Sequence, residues 1–382
     1  MKAEAPQVRR GPITIENLLK LPLYFVRGIK YHAAGRIYTP KPLYVTLSVT
    51  SRCNSRCVMC SYWQSQDNDD ELTPSEFGEI FRNPLFGSLE RFALSGGEPT
   101  LRNDLAQIAQ AILDSCPQIK KMSLLTNGLE PTAVTQRVEE LLAVCKRKGV
   151  STFSVSVSLD GYGATHQRIR RVPQAFERTS ETIKRLKKLQ HETPFYLSST
   201  CVVQPLNIGN LAQVSVFGQE QELPITFSPV CLSDFLVKDT ASKTALTFSD
   251  KHLSELKMLF EHKLQPNLMP SNVPFWREYF SIIGGERRKL PCFMLYHYAS
   301  MGSDGTLRMC AADNSLVYGN ALDEPADKIW YSQKARELRK RVEKYFCPKC
   351  TICCNTPFSF THEFFYYAGF LLKEKSRKLL WK

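Results

Sequence analysis

The chain has 382 residues, 43% hydrophobic and 23% charged, with a formal charge of +13 from 50 Lys+Arg against 37 Asp+Glu. That length supplies one large core and a smaller one, the composition excludes a disordered or fibrous chain, and no apolar run is long enough to span a bilayer. Thirteen cysteines behind an N-terminus without an apolar secretory core point to a reducing, cytoplasmic setting and to metal-binding or catalytic thiols instead of disulfides.

Residues 1–41 read as an N-terminal extension whose apolar stretch, Ile15 to Ile37, is expected to break at Pro22 and Gly28. An alternation then begins: strands at 42–49, 91–95, 119–126, 151–160, 195–203 and 223–230, with helices at 74–84, 103–115, 132–148, 173–189 and 208–221. Six strands alternating with helices predict an α/β fold, a partial (β/α)6 TIM-type barrel with its working end at the strands' C-terminal tips; an open doubly wound sheet competes. In the fourth strand Phe153, Val155, Val157 and Leu159 alternate with Ser154, Ser156, Ser158 and Asp160. This predicts a hydroxyl-lined interior face, against the plainer reading of an edge strand wetting its polar side. The expected divisions are a core at 42–235, a connecting region at 236–290 with a helix over 249–264, a small cysteine-bearing domain at 291–355, and a basic aromatic tail at 356–382.

Nine of the thirteen cysteines fall in two clusters. The first follows the first strand as TSRCNSRCVMCSYW, with Cys53, Cys57 and Cys60 spaced C-x3-C-x2-C. Three soft thiolates so close can wrap one zinc ion or one iron–sulfur cluster. No His follows at zinc-finger spacing, so structural zinc would need a distant fourth ligand, whereas three cysteines on a four-iron cube leave one iron open for catalysis.

This loop resembles the C-x3-C-x-Φ-C motif of the radical S-adenosylmethionine superfamily, with Met59 where an aromatic is usual and Tyr62 and Trp63 just after it. The resemblance implies that Cys53, Cys57 and Cys60 are catalytic ligands of a [4Fe–4S] cluster whose open iron chelates S-adenosyl-L-methionine. It also implies reductive cleavage to a 5′-deoxyadenosyl radical that takes hydrogen from a substrate, with a flavodoxin- or ferredoxin-like electron donor. Other positions resemble the family's cofactor contacts: Met59 and Tyr62 in the loop, Gly96, Gly97 and Glu98 for the cofactor's amino group, Asn127 and Ser158 for its ribose. His166 and Arg170 resemble an H-x3-R element, with Arg170 set to meet the cofactor carboxylate. Each of these also has an ordinary reading as a turn or helix-start residue.

The second cluster, Cys292, Gly305-x4-Cys310, Tyr318-Gly319-Asn320, then Cys347, Cys350, Cys353 and Cys354, resembles the SPASM/Twitch auxiliary-cluster extension. Six cysteines imply one auxiliary [4Fe–4S] cluster, held by Cys292, Cys310, Cys347 and Cys350, with Cys353 or Cys354 able to replace one of them; a zinc knuckle from the last four is the alternative. Cys116, Cys145, Cys201 and Cys231 read as core residues, Cys201 also as a lumen-facing hydrogen donor.

The function expected is a radical enzyme that oxidises or epimerises a polar small molecule of anionic character, such as a sugar, aminocyclitol or lipid precursor. The alternatives are a peptide-modifying SPASM-type maturase, disfavoured because residues 1–41 are short for a leader-binding domain, and a zinc- or cluster-stabilised nucleic-acid-binding protein. The last fits the basic charge but leaves the GGEP turn and the polar strand ends unused. The aromatic, basic tail allows contact with an anionic membrane surface, or packs on its own domain.

Overall fold

The computed structural model describes residues 21–35, 37–65, 71–234, 236–260, 272–289, 292, 294–310 and 316–351. Helix α1 (Leu21–Ala33) runs through the break expected at Gly28. Pro22 falls at the second described residue of α1, where a proline costs little if the helix begins there, and an interior glycine costs only about 1 kcal/mol.

Six β/α units follow. Strands β1 (Tyr44–Thr50), β2 (Arg91–Gly96), β3 (Lys121–Thr126), β4 (Thr152–Ser158), β5 (Tyr196–Val203) and β6 (Ile225–Pro229) are all parallel. They are connected through α2 (Pro74–Phe81), α3 (Leu105–Ser115), α4 (Pro131–Lys148), α5 (Ala164–Arg170), α6 (Ala175–Glu192) and α7 (Leu211–Glu220). Local signals set the helix ends: Thr73 and Glu76 form a reciprocal capping box at α2, and Gly149, at φ +66°, closes α4 in the left-handed conformation that glycine tolerates. Helix α5 lies in a stretch the sequence reading left without a helix.

The sheet does not stop at β1. Strand β7 (Tyr298–Met301) pairs with it in parallel, and β8 (Thr306–Arg308) and β9 (Val317–Asn320) continue antiparallel, giving the order β6-β5-β4-β3-β2-β1-β7-β8-β9. The sheet is open, with β6 and β9 at its ends: a partial barrel extended at its first strand. Between β6 and β7 lie α8 (Thr240–Leu246), α9 (Asp250–Met258), α10 (Asn272–Ile283) and α11 (Met294–His297); α12 (Ala326–Tyr331) and α13 (Gln333–Tyr345) follow β9.

One face of the sheet packs against the helices, burying Val45, Leu47, Phe92, Leu94, Leu124, Val155, Val157 and Leu197 with Phe77, Ile108, Val138 and Ile183. The other face carries hydroxyls. Strand β4 lies between β3 and β5, so it is not an edge strand. Its serines pair sideways, Ser154 with Ser123 (2.8 Å) and Ser156 with Thr200 (2.9 Å). Cys116, Cys145 and Cys201 are buried in the core and Cys231 is half-buried; Cys201 lies on the buried face of β5, so it is not a lumen donor. Residues 353, 354 and the tail lie outside the described residues.

Candidate active site

The C-terminal end of β1 opens into the cysteine loop, which is held from three sides. Beneath it, the backbone of the GGE turn docks directly: Gly97 N donates to Thr50 O (2.9 Å) and Glu98 N to Arg52 O (2.8 Å). A Cβ on Gly97 would sit 2.1 Å from the Arg52 carbonyl oxygen, and Gly96 has φ +122°. The two glycines thus let strand end and loop touch backbone to backbone. On the second side, Arg56 N and Val58 N donate to the carbonyls of Arg170 (3.2 Å) and Ile169 (3.0 Å), the last residues of α5. On the third, Ser61 N donates to Leu236 O (2.6 Å) and Lys238 N to Ser61 Oγ (3.1 Å), while Val230, Val237 and Leu246 pack against Cys57 and Met59. Sequence reasoning treated 236–290 as a connector and missed this clamp; backbone hydrogen bonds leave no mark on residue type.

Glu98 is buried and its carboxylate is fully engaged. Oε1 accepts from Thr100 Oγ1 (2.7 Å) and Thr126 Oγ1 (2.8 Å), and Oε2 from Asn127 N (2.6 Å). Burial raises its pKa and these donors oppose the rise. Here it ties the ends of β2 and β3 together. Asn127 Nδ2 donates to Asn54 Oδ1 (2.7 Å) and lies 3.9 Å from Cys53 Sγ, so this expected ribose contact also touches the cysteine loop.

Arg170 is placed against the cysteines. Nη1 donates to Cys57 Sγ (3.5 Å), Nη2 is 2.6 Å from Asp160 Oδ2, and Asp160 Oδ1 accepts from Val202 N (2.8 Å). Arginine and aspartate are both buried. Desolvation works against the guanidinium's charge, but Asp160 and the Cys57 sulfur more than offset it and raise its pKa. His166 is wholly buried; Nδ1 accepts from Asp160 N (3.0 Å), and burial, then Arg170, holds its pKa well below the usual range. Asn207 Nδ2 donates to Asp160 O (2.8 Å), and Gln204 Nε2 to Met59 Sδ (3.8 Å). Neither polar residue stood out in the sequence, because only the fold brings the end of β5 to the loop. Ser158 is half-buried at the tip of β4 on the hydroxyl face.

The donor set fits an iron–sulfur cube. Burial pushes the Cys53 thiol up to about 12 and the Cys60 thiol to about 11. Among the described residues no three His, Cys, Asp or Glu side chains gather tightly enough for a single metal ion. Tetrahedral zinc would draw its thiolates to about 3.8 Å from each other, whereas a cube takes each thiolate on a separate iron. At the second cluster, Cys292, Cys310, Cys347 and Cys350 line one pocket with Met294, Leu295, Met309, Val342 and Phe346. Burial, then the three neighbouring sulfurs, raises the Cys347 pKa.

Residues 47–213 match the model of the radical SAM superfamily, and residues 292–354 that of an iron–sulfur cluster-binding domain, SPASM. The chain carries a radical SAM domain followed by a SPASM domain. Radical SAM domains bind a [4Fe–4S] cluster and S-adenosylmethionine, and SPASM domains an auxiliary iron–sulfur cluster. The chain is 33% identical over 153 residues to the GTP 3′,8-cyclase of Mannheimia succiniciproducens, a match covering 37% of this chain and 43% of that protein. The chain spans less than half the length of the curated relatives it matches first. In fold it is similar to Streptococcus suis SuiB bound to precursor peptide SuiA (TM-score 0.59, 14% identity, 94% of this chain and 81% of that one). It is likewise similar to native anSMEcpe with bound AdoMet (TM-score 0.58, 18% identity, 88% of this chain and 100% of that one). No described helix is long and apolar enough to cross a membrane.

Proposed function

We propose that the protein reductively cleaves S-adenosylmethionine at Cys53, Cys57 and Cys60 and uses the 5′-deoxyadenosyl radical to take hydrogen from a polar small molecule, which is oxidised or epimerised. The observation that carries this reading is the placement of the cysteine loop over the tips of strands whose open face is lined with hydroxyls, Ser123, Ser154, Ser156 and Thr200 among them. When bound, the open-iron cluster supplies the electron for cleavage. The chain's own residues do the rest. Asn54 and Asn127 hold the loop's start, Arg170 neutralises charge at Cys57, and Met59 and Val237 exclude water beneath the loop. Cys292, Cys310, Cys347 and Cys350 would hold the auxiliary cluster, with Cys353 or Cys354, outside the described residues, able to replace one of the four. The net charge of +13 suits an acidic flavodoxin- or ferredoxin-like donor.

The name of the relatives, GTP 3′,8-cyclase, supports a small-molecule substrate, whereas the peptide bound to SuiB supports the maturase reading. Deuterium transfer separates them. Reduced enzyme given perdeuterated polyol, aminocyclitol and nucleotide candidates is expected to place deuterium in 5′-deoxyadenosine; transfer only from a deuterated peptide would overturn the small-molecule assignment.

A further inference from the structure

Residues paired in adjacent strands share a face of the sheet, and the register carries one row from the SPASM segment into the barrel. Arg308 pairs with Ser300, Ser300 with Thr46, Thr46 with Ala93, Ala93 with Ser123 and Ser123 with Ser154. Arg308, Ser300 and Thr46 are half-buried, while their chain neighbours Leu307, Met301 and Leu47 are fully buried on the opposite face. Arg308 therefore stands on the hydroxyl face, at the end nearest the second cysteine set. Tyr62 reaches the same corner from the cysteine loop: its hydroxyl and that of Ser48 share a hydrogen bond, and it feels the opposing charges of Arg308 and Asp304. Asp304, the carboxylate at this corner, accepts from Thr306 N (3.0 Å) and Thr306 Oγ1 (2.8 Å), which fixes the turn from which β8 starts.

We propose that Arg308, with the hydroxyls of Tyr62, Ser48 and Ser300, seats a phosphoryl group of the substrate at the edge of the hydroxyl face. The guanidinium offers a planar fork of donors suited to phosphate oxygens. Around it, Ser300 and whichever of Tyr62 and Ser48 keeps a free O–H in their shared hydrogen bond supply further donors, which with the fork can reach the three terminal oxygens of a phosphate monoester. The position also has a chemical logic. Tyr62 is two residues from Cys60 and Arg308 two from Cys310, so a substrate held here by its phosphate is tethered between the two cysteine sets, with its hydroxylated portion free to lie along Ser123 and Ser154.

The inference rests on the proposed function, and the two fail separately. Full-length, anaerobically reconstituted protein is dialysed to equilibrium against 32P-labelled inorganic phosphate and pyrophosphate, and 5′-deoxyadenosine formation is measured on the same wild-type preparation. Saturable binding is expected, weakened at least tenfold in Arg308→Ala and by less in Arg308→Lys, which keeps the charge and loses the fork. Should Arg308→Ala fail to fold, as iron content and thermal melting would reveal, Tyr62→Phe and Ser300→Ala carry the test, each with an expected loss of about threefold or more. Absence of saturable binding, binding indifferent to these substitutions, or displacement by acetate as effective as by phosphate would overturn the seat. A wild type that binds phosphate yet leaves S-adenosylmethionine intact would instead overturn the proposed function.

Discussion

Cys53 and Cys60 carry thiols that burial pushes to about 12 and about 11, so both are protonated in the metal-free protein at neutral pH. Only thiolates ligate iron, so cluster assembly must release those protons and gains from rising pH. Iron uptake during anaerobic reconstitution is expected to be several-fold faster at pH 8.5 than at pH 7, and rates independent of pH would contradict the burial argument. Arg170→Gln removes the cation between Asp160 and Cys57. Breaking a buried pair from one side costs about 3–5 kcal/mol, so urea unfolding should show a loss of that order together with reduced iron per chain. His166 adds a pH dependence. Its folded pKa lies below the unfolded value of about 6.5, so the unfolded chain binds the extra proton first, and stability falls as pH drops through about 6.5 with a slope of at most about 1.4 kcal/mol per pH unit. Urea titrations between pH 5.5 and 7.5 should show that slope flatten in His166→Gln. At this scale the thiol spacing was legible in sequence because it is local. The Arg170–Asp160 pair was not: both residues stand in the sequence, but which groups an arginine meets depends on how a loop folds back.

The GGE turn shows what an element boundary does for chemistry. Its glycines are needed where β2 ends against the cysteine loop, and Gly97→Ala would force a Cβ into the Arg52 carbonyl. A clash with backbone cannot relax by side-chain rotation, so a destabilisation of about 1–3 kcal/mol is expected, with cluster loss at Cys53, Cys57 and Cys60 visible as reduced iron and a weaker reduced-cluster EPR signal. The six strands were legible from alternation, and the hydroxyl face of β4 from four consecutive polar alternates. Helix α5 was missed because its seven residues are too few to show a period, and α1 outran its expected break at Gly28 because a single glycine disfavours a helix without ending it.

Across the whole molecule, the second cysteine set is joined to the first through the sheet. Strand β7 pairs along Tyr44–Leu47, Leu72 N donates to Ser303 O (2.7 Å), Asn83 Nδ2 to Asp327 Oδ1 (2.8 Å) and Trp330 Nε1 to Pro40 O (2.9 Å). Short strands such as β7 and β8, of four and three residues, give no alternation to read, which is why this continuity was absent from the sequence reading. Cys310→Ala is expected to lower bound iron from about eight atoms per chain to about four; an unchanged count would remove Cys310 from the ligand set. The proposed chemistry requires that three thiolates hold a cube whose vacant corner takes the cofactor. Release of 5′-deoxyadenosine from S-adenosylmethionine by reconstituted, dithionite-reduced protein tests it most directly. The product is expected from the wild type and none from Cys57→Ala; intact S-adenosylmethionine with the wild type, or equal product from the variant, would overturn the three-thiolate cluster.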